Sequence, residues 1–138
     1  MKHHYVPSTP DNVAWGYFDS TRESVLEIDS GDSVTFDTLS GEPEDMPASD
    51  LGFDILPEHL SVHEHCDRGR GPHFLTGPVA VRGAQPGDVL EVRILSCELR
   101  QNWGWNVVEP LLGTLPEDFP GRRLLHFSID IEAGTCET

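Results

Sequence analysis

The sequence has few basic residues. Its 9 Lys and Arg stand against 24 Asp and Glu, which gives a formal net charge of −15. A chain this acidic lacks the basic surface that nucleic-acid phosphates require, and an anionic membrane surface would repel it. It also has no uncharged apolar run near the roughly 18 residues of a membrane-spanning helix. We therefore expect neither nucleic acid nor membrane among its partners.

Cysteine is scarce as well. Cys66, Cys97 and Cys136 are an odd number and form no C-x-x-C pair, so a disulfide framework is not expected. The residues up to Pro7 lack the apolar stretch of a secretory signal. Together these absences predict a protein of the reducing cytoplasm.

Glycine and proline, by contrast, are frequent and spread through the chain, which predicts many turns between short strands. A Gly31-Asp32 turn separates two apolar segments, residues 25–29 and 33–39, and the second segment alternates with period two. The same arrangement recurs 56 residues later, around Gly87-Asp88, with a segment at 89–95. Either a duplication or convergence on a common hairpin pattern explains the recurrence.

These patterns predict a mainly β fold: a two-sheet β-sandwich of short antiparallel strands, built on the two Gly-Asp hairpins and forming a single domain over residues 1–138. One short helix is expected at Pro57–His65, because proline suits the first helical position and Arg68–Pro72 breaks the pattern. The residues expected between the sheets are Val34, Phe36, Leu90, Val92 and Ile94.

Histidines are concentrated in one stretch. His59, His63, His65 and His73 fall within 15 positions, and the first two share one face of the predicted helix, as zinc ligands do. We predict a metal site there with His63, His65 and His73 as ligands. The alternative is that these are exposed histidines of an acidic protein without a metal, since no H-E-x-x-H motif occurs.

A second candidate lies just downstream, in the run from His73 to Pro78. Gly77-Pro78 leads into a strand, so His73 and Thr76 are expected at a strand mouth, where catalytic groups are often held. The alternative is an ordinary loop in which Thr76 bonds to nearby backbone.

Three stretches together go beyond such general patterns. They are Trp15-Gly16-Tyr17-Phe18, the segment 71–92 that contains T-G-P-V-x-V-x-G-A-x-P-G-D-V-L, and Trp103-Gly104-Trp105-Asn106. With them the chain closely resembles the N-terminal part of the acetamidase/formamidase family, over residues 3–131. The resemblance implies a β-rich hydrolase that converts small linear amides such as formamide or acetamide to carboxylate and ammonia, often with a divalent metal, zinc or calcium.

The chain departs from the family pattern in two respects. Ala14 stands where members commonly carry His, directly before the Trp of the first motif. The later H-G-G-N-x-D and G-D-x-H-x-x-x-G-D-G-E segments do not occur. An excised half, a natural truncation and one chain of a split enzyme all fit this pattern. We expect a homo-oligomer or a complementing C-terminal half as partner. The alternative function is a non-catalytic binding or assembly module.

Overall fold

Nine short β-strands and one α-helix form the main regular structure of residues 1–137, the residues that the computed structural model describes. The predicted mainly β fold with one short helix is confirmed. The described residues form two compact units, one of Met1–Ser40 and Pro57–Ser96, the other of Gly41–Leu56 and 97–137. Compact units of this size can be parts of one domain, so the single domain over 1–138 stays a prediction.

The first unit contains six strands in three two-stranded sheets, together with the helix. Its elements in chain order are β1 (His3–Val6), a 3₁₀ turn (Pro10–Asn12), β2 (Val13–Trp15), β3 (Leu26–Ile28), β4 (Ser33–Phe36), α1 (Pro57–His65), β5 (Phe74–Thr76) and β6 (Val79–Val81). Two of the strand pairs, β1 with β4 and β3 with β6, are parallel, and β2 with β5 is antiparallel.

The Gly31-Asp32 turn forms as expected, but the strands on its two sides do not make a hairpin. The Asp32 N–H donates to the Asp29 carbonyl at 3.0 Å, and Gly31 adopts a φ of +90°, which glycine takes at little cost. β3 before the turn pairs with β6, whereas β4 after it pairs with β1. The strands of the described residues are thus spread over four small sheets instead of the two expected. Alternation marks a strand but not its partner.

The segment after the second turn differs more strongly from the prediction. No strand among residues 1–137 includes any residue from Val89 to Leu95. Leu90, Val92 and Ile94, expected in the core, are 73%, 72% and 80% exposed, and Phe36 is 41% exposed. The expectation that these residues fill a core between two sheets is therefore wrong. Their alternating pattern marks strand-forming residues, but no strand of the described chain pairs with them.

The helix α1 has the predicted boundaries, Pro57–His65. Pro57 occupies the first turn, where its missing N–H loses no helical bond, and Glu58 favours the positive end of the helix dipole. The buried residues of α1 are His59 and Val62, which lie three apart and so share one face. The other buried apolar residues of this unit are Val6, Val13, Ala14, Trp15 and Leu39.

The second unit is built on a three-stranded antiparallel sheet of β7 (Trp103–Val108), β8 (Arg123–Asp130) and β9 (Thr135–Glu137), which lie in that order. Two 3₁₀ turns, Pro43–Asp45 and Ser49–Leu51, precede the sheet in the chain. Trp103 is buried and donates its indole N–H to the Asp54 carbonyl at 2.8 Å. Gly104 lies opposite Phe127, whose ring occupies the space that a side chain at 104 would need.

Candidate functional site

His63, one of the predicted site residues, packs in a cluster of four rings in the first unit. Trp15 on β2 lies 4.9 Å from Phe74 on β5 and 5.5 Å from His63 on α1, measured between ring centroids. The His59 ring is fully buried and lies 4.5 Å from that of His63. Period 3.6 along the helix brings these two histidines to one side, and the antiparallel register places Trp15 opposite Phe74.

The antiparallel pairing of β2 with β5 positions two members of this cluster, Trp15 and Phe74. Val13 pairs with Thr76, Ala14 with Leu75 and Trp15 with Phe74. Ala14 is buried, with 6% of its surface exposed, so the position where family members commonly carry His lies in the core here. An imidazole at residue 14 would have to be buried and hydrogen-bonded, which a methyl group avoids.

A glycine-rich segment packs against the end of β2 at unusually short range. The Gly71 N–H donates to the Gly16 carbonyl and the Gly69 N–H to the Trp15 carbonyl, both at 2.9 Å. A Cβ on Gly16 would lie 2.2 Å from the Gly71 oxygen, so no larger residue fits without a backbone shift. Arg68, which opens this segment, lies over the Trp15 ring with its guanidinium carbon 5.3 Å from the centroid.

This backbone contact also sets the position of His73. The Gly16 N–H donates to the His73 carbonyl at 2.8 Å, while the His73 side chain is exposed to solvent. Thr76, three residues on, donates its hydroxyl to the Asp37 carbonyl at 2.8 Å. His73 therefore presents an imidazole at the surface from a fixed backbone, and the Thr76 hydroxyl joins β5 to the chain that follows β4.

The three predicted metal ligands lie in different surroundings. His63 packs in the ring cluster, His65 is exposed on the last turn of α1, and His73 is exposed just before β5. His65 Nδ1 lies 2.9 Å from the Ser61 carbonyl, which places the proton on Nδ1. Within residues 1–137, no group of three or more His, Cys, Asp or Glu side chains could hold a metal ion. The assignment of these three ligands stays a prediction.

Cys66 follows α1 and lies beside the same cluster. Its thiol points to the Pro10 carbonyl at 3.5 Å, and burial raises the pKa of the Cys66 thiol. A raised pKa lowers the fraction of thiolate, the nucleophilic form of cysteine.

Sequence reasoning did not find the close approach of Gly16 to Gly71. These residues are 55 positions apart, and glycine carries no polarity or periodicity that would reveal the contact. The repeated Arg-Gly of residues 68–71 was a usable signal, because closely spaced glycines often mark a close backbone approach. The Trp15 indole N–H is a further unforeseen feature: it is buried and finds no hydrogen-bond acceptor within residues 1–137.

The second unit holds a separate charged cluster around Asp45. Arg122 Nη2 lies 2.9 Å from Asp45 Oδ1, and Arg122 Nε lies 2.6 Å from Glu109 Oε1. His126 Nε2 donates to the Asp45 carbonyl at 2.7 Å, and its ring meets Trp103 edge-on at 5.9 Å. The charges and hydrogen-bonding groups of this cluster are paired with one another, so the cluster holds the 3₁₀ turn Pro43–Asp45 to the sheet. The candidate site is therefore the ring cluster of the first unit together with His73.

The comparisons with known proteins match a family model to two of the three sequence motifs, the segment 71–92 and Trp103-Gly104-Trp105-Asn106. Among residues 1–137, the helices lack the length and the hydropathy that a membrane span requires. No curated protein matches the chain. The model of the acetamidase/formamidase family matches residues 21–134. This range contains α1, the glycine-rich segment of residues 68–71, β5 and both Gly-Asp turns. As this match spans most of the 138 residues, the chain belongs to the acetamidase/formamidase family.

Proposed function

We propose that this protein hydrolyses the carbon–nitrogen bond of small linear amides, with formamide and acetamide as the substrates to test first. The observation that carries the proposal is the family match over residues 21–134, which indicates amidase-type activity. The predicted catalytic residues, His73 and Thr76, lie inside that range and at the two ends of one short segment of chain. The small-molecule amide is the partner that follows from this proposal.

In the proposed reaction, His73 transfers protons. Water attacks the amide carbonyl carbon while the imidazole takes the water proton, and a carbon–oxygen bond forms. The carbon–nitrogen bond then breaks as the same imidazole returns the proton to the leaving nitrogen, which departs as ammonia and leaves the carboxylic acid. The exposed ring of His73 is accessible to a small substrate, and the Gly16 N–H holds the backbone from which that ring projects.

For Thr76 we propose a positioning role. Its hydroxyl proton is engaged by the Asp37 carbonyl at 2.8 Å, so the side chain fixes the far end of β5. Since His73 immediately precedes this three-residue strand, a displacement of Thr76 is transmitted to His73 over a short distance. Small displacements of catalytic groups are costly because proton transfer needs hydrogen-bond distance to the reacting atoms.

A divalent metal, zinc or calcium, is the cofactor that the family resemblance implies. When bound, such an ion would polarise the carbonyl or activate the water. The described residues do not bring three or more His, Cys, Asp or Glu donors together, so they do not fit a complete site on their own. No step of the proposed reaction is therefore assigned to a metal, and the assay includes added zinc and calcium.

The test is ammonia release from formamide and acetamide by the whole chain, with and without added zinc or calcium. We expect release by the wild type and at least a hundredfold loss in His73→Ala, because general acid–base catalysis contributes about 10²- to 10⁴-fold. His3→Ala is the matched control: it removes another exposed imidazole, on β1, and leaves the rate unchanged. Equal rates in wild type and His73→Ala would remove the proposed role of His73. No ammonia under any of these conditions would contradict the proposed function itself.

The second candidate function, a non-catalytic binding or assembly module, is favoured by one specific observation. The apolar side chains from Val89 to Leu95 are 72–95% exposed. A group of neighbouring apolar side chains exposed to this extent is typical of a surface that binds another molecule. A chain that associates through this segment and releases no ammonia from either amide would fit this function and not the first.

A further inference from the structure

The two Gly-Asp turns of the first unit share one pattern of hydrogen bonds. In the first, the Asp32 N–H donates to the Asp29 carbonyl at 3.0 Å, and Asp32 Oδ2 accepts from the Asp29 N–H at 3.4 Å. In the second, the Asp88 N–H donates to the Gln85 carbonyl at 3.0 Å, and Asp88 Oδ2 accepts from the Gln85 N–H at 2.8 Å. The third residue has a positive φ in both turns. The segments that follow the two turns therefore begin from equivalent local structures.

Only the first of these two segments has a partner strand in the described chain. β4, which follows the first turn, pairs with β1 over four residues. The corresponding segment, Val89–Leu95, pairs with no strand among residues 1–137, although its residues are more apolar than those of β4. Its five apolar side chains, Val89, Leu90, Val92, Ile94 and Leu95, are all at least 72% exposed. An unpaired, exposed segment of this composition readily adds to another strand.

The charges of the segment favour a second copy of the same segment in antiparallel orientation. Glu91 and Arg93 lie on one side, where Arg93 Nε contacts Glu91 Oε1 at 2.6 Å. If two copies pair about a two-fold axis at Val92, Glu91 of each copy faces Arg93 of the other, and Leu90 faces Ile94. A parallel pairing in register would instead set Glu91 against Glu91 and Arg93 against Arg93. Opposite charges directly across a pair of strands stabilise it, and like charges destabilise it.

We propose that Val89–Leu95 is a dimerisation strand, which pairs antiparallel with the same segment of a second copy about a two-fold axis at Val92. The contact is isologous, so each copy supplies Glu91 to one of two symmetric ion pairs and Arg93 to the other. Seven residues at about 3.4 Å each give a contact about 24 Å long. Such a contact belongs with the smaller interfaces, below about 1,200 Å² in total, and we expect reversible association at micromolar concentrations.

Charge reversal at residues 91 and 93 provides a matched set of variants. In E91R or R93E, both cross-strand ion pairs become like-charge pairs, and we expect the dimer dissociation constant to rise about tenfold. E91R also makes the chain two charges less negative, so repulsion between the acidic chains would predict the opposite effect. The double swap E91R/R93E keeps the composition and the net charge and restores the complementary pairs, so its dissociation constant returns to within about threefold of wild type.

Mixing the two single variants tests the pairing directly. An E91R chain and an R93E chain face each other with Arg opposite Glu at both positions, so a heterodimer should form more tightly than either homodimer. Sedimentation velocity at about 0.15 M salt measures the affinities, since the Debye length there is about 8 Å and the overall charge is screened. Native mass spectrometry identifies the heterodimer, and far-ultraviolet circular dichroism confirms that each variant keeps the wild-type fold.

Three results would overturn the proposal. The first is a wild-type chain that stays monomeric up to hundreds of micromolar. The second is dimerisation that neither single reversal weakens, which would place the interface elsewhere on the chain. The third is protection of the amides of residues 89–95 from hydrogen exchange in a monomer, which would show that the segment is covered by its own chain.

Discussion

Substituting Gly16 by Ala tests the backbone contact that holds His73 in place. Gly16 has a φ of +81°, and a Cβ there would lie 2.2 Å from the Gly71 oxygen and 2.8 Å from the Gly71 nitrogen. The left-handed conformation alone costs an alanine roughly 1–2 kcal/mol. Relief of the overlap requires the two backbones to separate, which weakens hydrogen bonds worth about 0.5–1.5 kcal/mol each. We therefore expect Gly16→Ala to lower the free energy of unfolding by about 2–4 kcal/mol.

Gly83→Ala is the control for this experiment. Gly83 has almost the same φ, +79°, but a Cβ there meets nothing within 4 Å, so only the conformational cost of roughly 1–2 kcal/mol applies. Urea unfolding followed by circular dichroism gives both free energies, provided that the slopes with urea agree with wild type. Equal losses in the two variants, within about 0.5 kcal/mol, would refute the steric argument at Gly16. The Gly16 variant should also lose amide hydrolysis, because its N–H bonds to the His73 carbonyl.

Two further predictions concern charged groups. The His4 imidazole and the Lys2 backbone N–H form hydrogen bonds to Asp32 and lower its pKa from 3.8 to about 2. Because this pKa is lower in the folded protein than in the unfolded chain, the Asp32 carboxylate stabilises the fold fully above about pH 4. This stabilisation is lost as the pH falls towards 2. In Asp32→Asn, the urea midpoint of unfolding should change less with pH over this range than it does in the wild type. An equally steep pH dependence in the variant would contradict the role given to Asp32. In the second unit, Arg122→Ala removes the guanidinium from the mostly buried Asp45 carboxylate. Urea unfolding should show a free energy of unfolding lower by about 1–3 kcal/mol, and a smaller loss in Arg122→Lys. No loss in Arg122→Ala would show that solvent replaces the ion pair.

The parts of the fold that could be predicted are those with local signals. The helix Pro57–His65 has its starting proline, its early acidic residue and its glycine-rich end within a few positions, so its boundaries follow from the sequence. The Gly-Asp turns are local in the same way, because Asp32 and Asp88 bond to backbone only three residues away. The strand β4 was located by its alternating residues for the same reason.

Strand partners could not be predicted, because they depend on residues far apart in the chain. β3 pairs with residues 53 positions later and β4 with residues 30 positions earlier, and both pairs are parallel. Alternating apolar residues specify that a segment is extended and which side is apolar, but they do not select among several possible partners. The segment Val89–Leu95 shows the same limit: its pattern was recognised, whereas its lack of a partner in the described chain was not.

The candidate site was predicted only in part, for a related reason. His73 and Thr76 were expected at the mouth of the strand that Gly77-Pro78 enters, whereas Thr76 is the last residue of an additional short strand, β5, which His73 immediately precedes. The features that hold them, the Gly16–Gly71 contact and the packing of Trp15 on His63 and Phe74, join segments more than 45 residues apart. Since glycine carries no side-chain signal and a tryptophan fits many apolar environments, the sequence did not indicate these contacts.

The most direct test of amide hydrolysis is the product balance from carbon-13-labelled formamide in water enriched in oxygen-18. We expect formate and ammonia in equal amounts, one oxygen from water in each formate, and dependence of both products on His73. Formamide that remains intact with the wild-type chain, with and without zinc or calcium, would contradict it.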